Sequence, residues 1–152
     1  MNPAYLSLVE SGALAERVER AYALLDSCML CPRGCKINRR AGKLGLCRSG
    51  ELARVASYGP HHGEERPLSG WRGSGTVFFA RCNLRCVYCQ NSEISQDDCD
   101  DEVEPEELAR IFLDIQASGC HNLNLVSPTH VLPPILAALL IAARDGLRQP
   151  VV

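Results

Sequence analysis

The sequence predicts an α/β fold: a helical, cysteine-rich N-terminal region over residues 1–73, followed over residues 74–152 by the first strand–helix units of a larger sheet. Three observations predict it. Two β-branched or apolar stretches, Thr76–Ala80 and Asn122–Ser127, read as strands. Each precedes a segment that reads as a helix, the first from its apolar spacing and the second from its proline start and Asp145–Gly146 stop. The nine cysteines are gathered into clusters instead of being spread along the chain.

The elements follow in order. Leu14, Val18, Ala21, Tyr22 and Leu25 give helical spacing over Leu14–Leu25. From Cys28 to Gly50, glycines and Pro32 forbid long regular elements. Leu52–Gly59 is a short candidate strand, with irregular chain expected from there to Gly75. After the strand at Thr76–Ala80 comes an acidic run that reads as a solvated loop and a helix start. Pro105 takes the first helical position, and Glu106 and Glu107 favour the positive end of the helix dipole. Leu108, Ile111, Phe112 and Ile115 form the apolar stripe, and Gly119 ends it. A second helix is expected from Pro133–Pro134 to about Arg144, apolar nearly all round and so covered on more than one side. The final Pro150–Val152 reads as the opening of a third strand. Strand, helix, strand, helix, strand predicts parallel units with right-handed crossovers. A closed barrel of eight units needs about 250 residues, so the expectation is the front part of a longer protein.

Composition narrows the partners. The chain has 152 residues, 46% hydrophobic and 22% charged, with a net charge of −2 from 16 basic and 18 acidic side chains. That balance gives no electrostatic footprint for nucleic acid. The longest apolar run is too short to span a bilayer, and no secretory signal is read at the N-terminus. A cytoplasmic chain is expected, in which clustered cysteines point to metal or iron–sulfur ligation before disulfides.

Cys82, Cys86 and Cys89 stand in a C-x3-C-x2-C run, Arg81–Asn91. Three thiolates on one loop can reach three irons of a [4Fe–4S] cluster and leave the fourth iron open to another molecule. The alternative is a zinc site completed by Cys120 or His121. Upstream, Cys28, Cys31, Cys35 and Cys47 supply four thiolates within twenty residues, enough to close a zinc site or hold a second iron–sulfur cluster. Gly34, Gly42 and Gly45 let that loop turn its sulfurs inward. Cys99 and Cys120 read as incidental thiols, His61–His62 as a solvated pair, Trp71 as a packing residue, and Asn91 as a cap for the cysteine loop. No side chain is singled out as catalytic.

The run "FFARCNLRCVYCQN", with Tyr88 directly before the last cysteine, resembles the radical S-adenosylmethionine superfamily. Together with "CMLCPRGCKINRRAGKLGLCRSG" upstream and "GCHNLNLVSPTH" downstream, it resembles the branch of the pyruvate formate-lyase activating enzymes that carries an extra N-terminal cysteine motif. The resemblance implies a partial (β/α) barrel, a [4Fe–4S] cluster on Cys82, Cys86 and Cys89, and S-adenosylmethionine as cofactor. It implies reductive cleavage to a 5′-deoxyadenosyl radical and hydrogen abstraction, with Tyr88 against the adenine. An electron donor such as flavodoxin or ferredoxin, and a glycyl-radical protein as substrate, are implied partners. Where relatives have a glycine-rich turn with a carboxylate, this chain has Ser127–His130, leaving Thr129 and His130 to contact the methionine amino group. Arg81 stands where a glycine commonly precedes the first cysteine. The rival reading is a non-catalytic metal-binding module or an inactive fragment.

Overall fold

The computed structural model describes residues 2–96 and 102–152. Two helices open the chain, α1 (Tyr5–Glu10) and α2 (Ala13–Ala23). A loop-rich cysteine lobe leads to β1 (Ala53–His61), a short helix α3 (Arg66–Ser69) and β2 (Ser74–Phe79). The cysteine loop follows β2 and runs into α4 (Ser92–Gln96). Then come β3 (Glu102–Val103), α5 (Pro105–Ala117), β4 (Leu123–Val126), a 3-10 turn (Pro128–Val131) and α6 (Leu132–Arg144). Cys99 and most of the acidic loop lie outside the described residues.

The sheet is mixed, with order β3-β1-β2-β4. The parallel units expected after Ser74 are present, and β1 and β3 add antiparallel strands to them. β2 and β4 are parallel, with Gly75 opposite Leu123 and Phe78 opposite Val126. Val151 forms a parallel bridge to Leu123, so the parallel order continues past β4 as expected. β1, however, pairs antiparallel with β2. It runs on through Pro60 to His61, longer than the sequence suggests. Among the described residues β3 pairs with Ala53 and Arg54 alone, so Pro60 meets no ladder partner on that side of β1, where proline is tolerated. The Arg54–Glu102 ion pair, 3.5 Å apart, joins the two strands at that short ladder.

Apolar patterning explains the packing. α5 buries Leu108, Ile111, Phe112 and Ile115 against the sheet and α6. α6 is covered by α5 on one side and by α1 and α2 on the other. That accounts for its nearly continuous apolar surface. The hydroxyl of buried Tyr5 donates to the carbonyl of Gln149 at 2.9 Å, tying α1 to the far end of the chain. Gly75 sets how closely these layers approach: a Cβ built there would lie 2.0 Å from Ile115 Cγ2 and 2.7 Å from the Asn122 carbonyl oxygen. No helix among the described residues is long and apolar enough to cross a membrane.

Candidate functional site

In a parallel α/β sheet, ligands bind beyond the C-terminal ends of the strands. The described residues put two features at that rim: the cysteine loop, which leaves the end of β2, and Ser127, which leaves the end of β4. Between them lies a half-open cleft of about 80 Å³, lined by Cys82, Cys86 and Cys89 with Phe78, Ile94 and Ser127. Cys82 is buried, Cys89 half-buried and Cys86 exposed.

The loop is built from main-chain hydrogen bonds. Leu84 N–H donates to Cys82 Sγ at 3.4 Å. Cys89 N–H donates to the Cys86 carbonyl at 3.3 Å, and Arg81 N–H to the Ile94 carbonyl at 3.0 Å. Helix α4 backs the loop: Gln96 Nε2 donates to the Cys86 carbonyl at 3.1 Å, and Ser95 Oγ lies 3.4 Å from Cys89 Sγ. Asn91 lines the cleft, and its main-chain carbonyl accepts from Ser95 N–H at 2.9 Å.

Arg81 and Arg85 hold left-handed conformations, φ +61° and +52°, each immediately before a cysteine. Glycine meets no Cβ penalty there, which is why it suits the position before Cys82. Arg81 is held by its side chain, whose Nη1 donates to the Arg48 carbonyl in the upstream lobe.

The four upstream cysteines share a second cavity, of about 10 Å³, together with Arg39 and His130. Cys28 N–H donates to the Ile37 carbonyl at 2.8 Å, and Lys36 N–H to the Cys28 carbonyl at 3.0 Å. All eight described cysteines are free thiols. Among the described residues, no three His, Cys, Asp or Glu side chains converge closely enough for one ion as they stand.

The remaining predicted residues fall in different places. Tyr88 is 90% exposed on the outer edge of the loop. Thr129 is exposed on the 3-10 turn. His130 is 1% exposed and lines the upstream cavity, not the cleft. Its Nδ1 lies 3.1 Å from the Ser127 carbonyl and its Nε2 3.4 Å from the Ala80 carbonyl. Burial lowers its pKa from the ordinary 6.5, against the raising effect of the hydrogen bond to Ala80. Cys120 and His121 precede β4, whereas Cys82 follows β2, so the parallel register sets them at opposite ends of the sheet. At about 3.3 Å per residue, β2 separates them by roughly 20 Å. The zinc site that would recruit either of them to the three cysteines is therefore overturned. His121 instead stands edge-on to Trp71, with ring centroids 5.9 Å apart, and Trp71 is exposed instead of packed.

Two residues escaped the sequence reading. Arg33, between Cys31 and Cys35, donates from Nε to the Asn83 carbonyl and from Nη2 to the Leu84 carbonyl, each at 3.1 Å. Arg39 donates to the Gly50 carbonyl and, at 2.7 Å, to the His130 carbonyl. A lone arginine in a glycine-rich loop carries no signal of which distant carbonyls it will meet.

The chain is 34% identical over 143 residues to the uncharacterized protein MJ0674 of Methanocaldococcus jannaschii, covering 88% of this chain and 40% of that protein. It is 27% identical over 137 residues to the uncharacterized protein MJ0808 of the same organism, covering 79% of this chain and 40% of the relative. The chain thus spans about two-fifths of the length of these curated relatives. No solved structure matches it. Residues 76–149, from within β2 through the cysteine loop and past the end of α6, match the family model of the Radical SAM superfamily.

Proposed function

We propose that Cys82, Cys86 and Cys89 hold a [4Fe–4S] cluster with one iron left open to S-adenosylmethionine, in a protein that performs radical chemistry of the activating-enzyme kind. The observation that carries this reading is the shared cleft at the C-terminal strand ends, lined by all three thiols. A cluster is larger than an ion. Thiols spread around a cavity of about 80 Å³ fit the larger group.

When bound, the cluster and S-adenosylmethionine supply one-electron reductive cleavage; the protein supplies ligation, orientation and exclusion of water. Phe78, Phe79, Val126 and Ile94 give the cleft an apolar wall that excludes water. The Leu84 N–H on Cys82 Sγ is one of the hydrogen bonds to sulfur that tune a cluster's potential. Ser127, left-handed at φ +51°, turns the chain at the end of β4 so that it faces the thiols across the cleft. Tyr88 is an exposed aromatic free to lie against an adenine. Of the two candidates for the methionine amino group, Thr129 is exposed, whereas the His130 ring faces main-chain carbonyls. A flavodoxin- or ferredoxin-type donor and a glycyl-radical protein substrate are proposed on the resemblance alone.

The test is anaerobic reconstitution followed by iron and sulfide analysis and electron paramagnetic resonance. The reduced wild-type signal is expected to shift on addition of S-adenosylmethionine, and the Cys82→Ala/Cys86→Ala/Cys89→Ala variant to lose that cluster. A signal indifferent to S-adenosylmethionine would leave a metal-binding module without turnover, and the enzyme reading would fail.

A further inference from the structure

We propose that Cys28, Cys31, Cys35 and Cys47 close around a single tetrahedral ion of the zinc class, and that the loaded lobe holds the three-cysteine loop in position through Arg33. The second clause rests on the function proposed above; the first does not.

Size comes first. The four thiols face a cavity of about 10 Å³. That is room for about one water-sized particle. Four irons and their sulfides need far more. Gly45 shows how closely the lobe is drawn in, because a Cβ there would lie 3.1 Å from Cys35 Sγ and 3.3 Å from Ile37 Cδ1. No three of the thiols converge as they stand, so loading requires rotation about χ1 to bring the sulfurs onto one point. The backbone around them is already pinned by the Cys28–Ile37 and Lys36–Cys28 hydrogen bonds.

Charge gives an independent argument. Arg39 is 2% exposed. Its guanidinium meets the carbonyls of Gly50 and His130, and Cys28 Sγ at 3.8 Å, but no carboxylate among the described residues. A buried cation without a counter-charge is costly. A divalent ion held by four thiolates carries a net charge of −2, and here it would form beside that guanidinium. Loading releases the four thiol protons to solvent.

The backbone agrees. Lys36 and Arg48 are left-handed, φ +52° and +55°, each immediately after a cysteine of the lobe. Such conformations in long side chains cost about 1–3 kcal/mol each and persist where the surroundings over-determine them.

Three connections then run from the lobe to the loop. Arg33 grips the Asn83 and Leu84 carbonyls between Cys82 and Cys86. Arg39 holds the His130 carbonyl, and the His130 ring meets the Ala80 carbonyl. The Arg48 carbonyl accepts from Arg81. Of these, Arg33 makes the most direct contact and acts as a positioning residue.

The protein is purified anaerobically and its zinc, iron and sulfide measured, with zinc-edge X-ray absorption to read the ligands. One zinc with four sulfur neighbours is expected in the wild type and in Cys82→Ser/Cys86→Ser/Cys89→Ser. A fall of at least ten-fold is expected in Cys28→Ser/Cys47→Ser. If that last variant fails to accumulate, the triple variant and the wild-type spectrum decide. Iron and sulfide in place of zinc in the triple variant, or neither metal, would overturn the assignment. Zinc in the lobe with no cluster on the loop would sink the function above and leave this assignment standing. Arg33→Ala is expected to keep its zinc and change the cluster's resonance line shape, with partial recovery in Arg33→Lys. An unchanged line shape in Arg33→Ala would remove the positioning role.

Discussion

The two cysteine regions use the same backbone device for different ends. Five non-glycine residues among those described are left-handed, and four of them, Lys36, Arg48, Arg81 and Arg85, directly adjoin a cysteine. In the upstream lobe the left-handed residue follows the thiol; in the loop it precedes it. The lobe turns its thiols onto a cavity of about 10 Å³, whereas the loop spreads its thiols around a half-open cleft of about 80 Å³. The lobe keeps Cys28 and Cys47 buried, while the loop leaves Cys86 exposed. One region is made to close and the other to stay accessible.

Arg39→Met gives the sharpest way to break that contrast. With an anionic four-thiolate centre beside it, loss of the guanidinium leaves the Gly50 and His130 carbonyls without a donor and is expected to cost about 3–5 kcal/mol. Denaturant unfolding of the metal-loaded protein reads it. A smaller cost, no more than the about 1–3 kcal/mol of the carbonyls left without a donor, would mean that the lobe holds no anionic centre.

Gly75→Ala tests the scaffold that both regions share. The new methyl group collides with Ile115 and the Asn122 carbonyl, far from either set of thiols. Overpacking of this kind costs about 1–3 kcal/mol. A lower Tm with unchanged zinc and iron content in the folded fraction is expected. Selective loss of one metal would show that the two regions do not share this scaffold equally.

The smallest effect belongs to His130. Its folded-state pKa lies below 6.5, so the unfolded chain binds more protons as pH falls below that value. Stability is full above about pH 6.5 and declines as pH falls toward the folded pKa. The slope is at most about 1.4 kcal/mol per pH unit. Tm measured at intervals from pH 7.5 to about 5.5 is expected to fall more steeply in the wild type than in His130→Gln. Parallel slopes would mean that the ring is protonated in the fold, donating to Ser127 and Ala80 together.

The sequence was most legible where burial imposes a period. Leu108, Ile111, Phe112 and Ile115 announce α5, and the β-branched run at Thr76 announces β2, because one face or both must leave water. The three thiols of the loop stand out by their spacing, and the structure sets all three around one cleft. α1 was not, since six residues carry too short a pattern. β3 was not, because two residues have no period at all. The antiparallel β1 was missed beyond Gly59 since its lower half is exposed and its Pro60 argues against a strand. Arg33 and Arg39 were invisible for another reason: their partners are main-chain carbonyls, which every residue has.

The Arg39–His130 bond has a consequence in time. Its two residues are separated by 91 positions, so the lobe's central cation is made long before its partner. At about 5–20 residues per second, the ribosome needs roughly 5–18 s to cross that gap. During that interval the four thiols have left the tunnel or are leaving it, and the turn that bears the His130 carbonyl does not yet exist. The Gly50 carbonyl can seat Arg39 at once, whereas the bond that ties the lobe to the sheet waits for a turn 91 residues downstream.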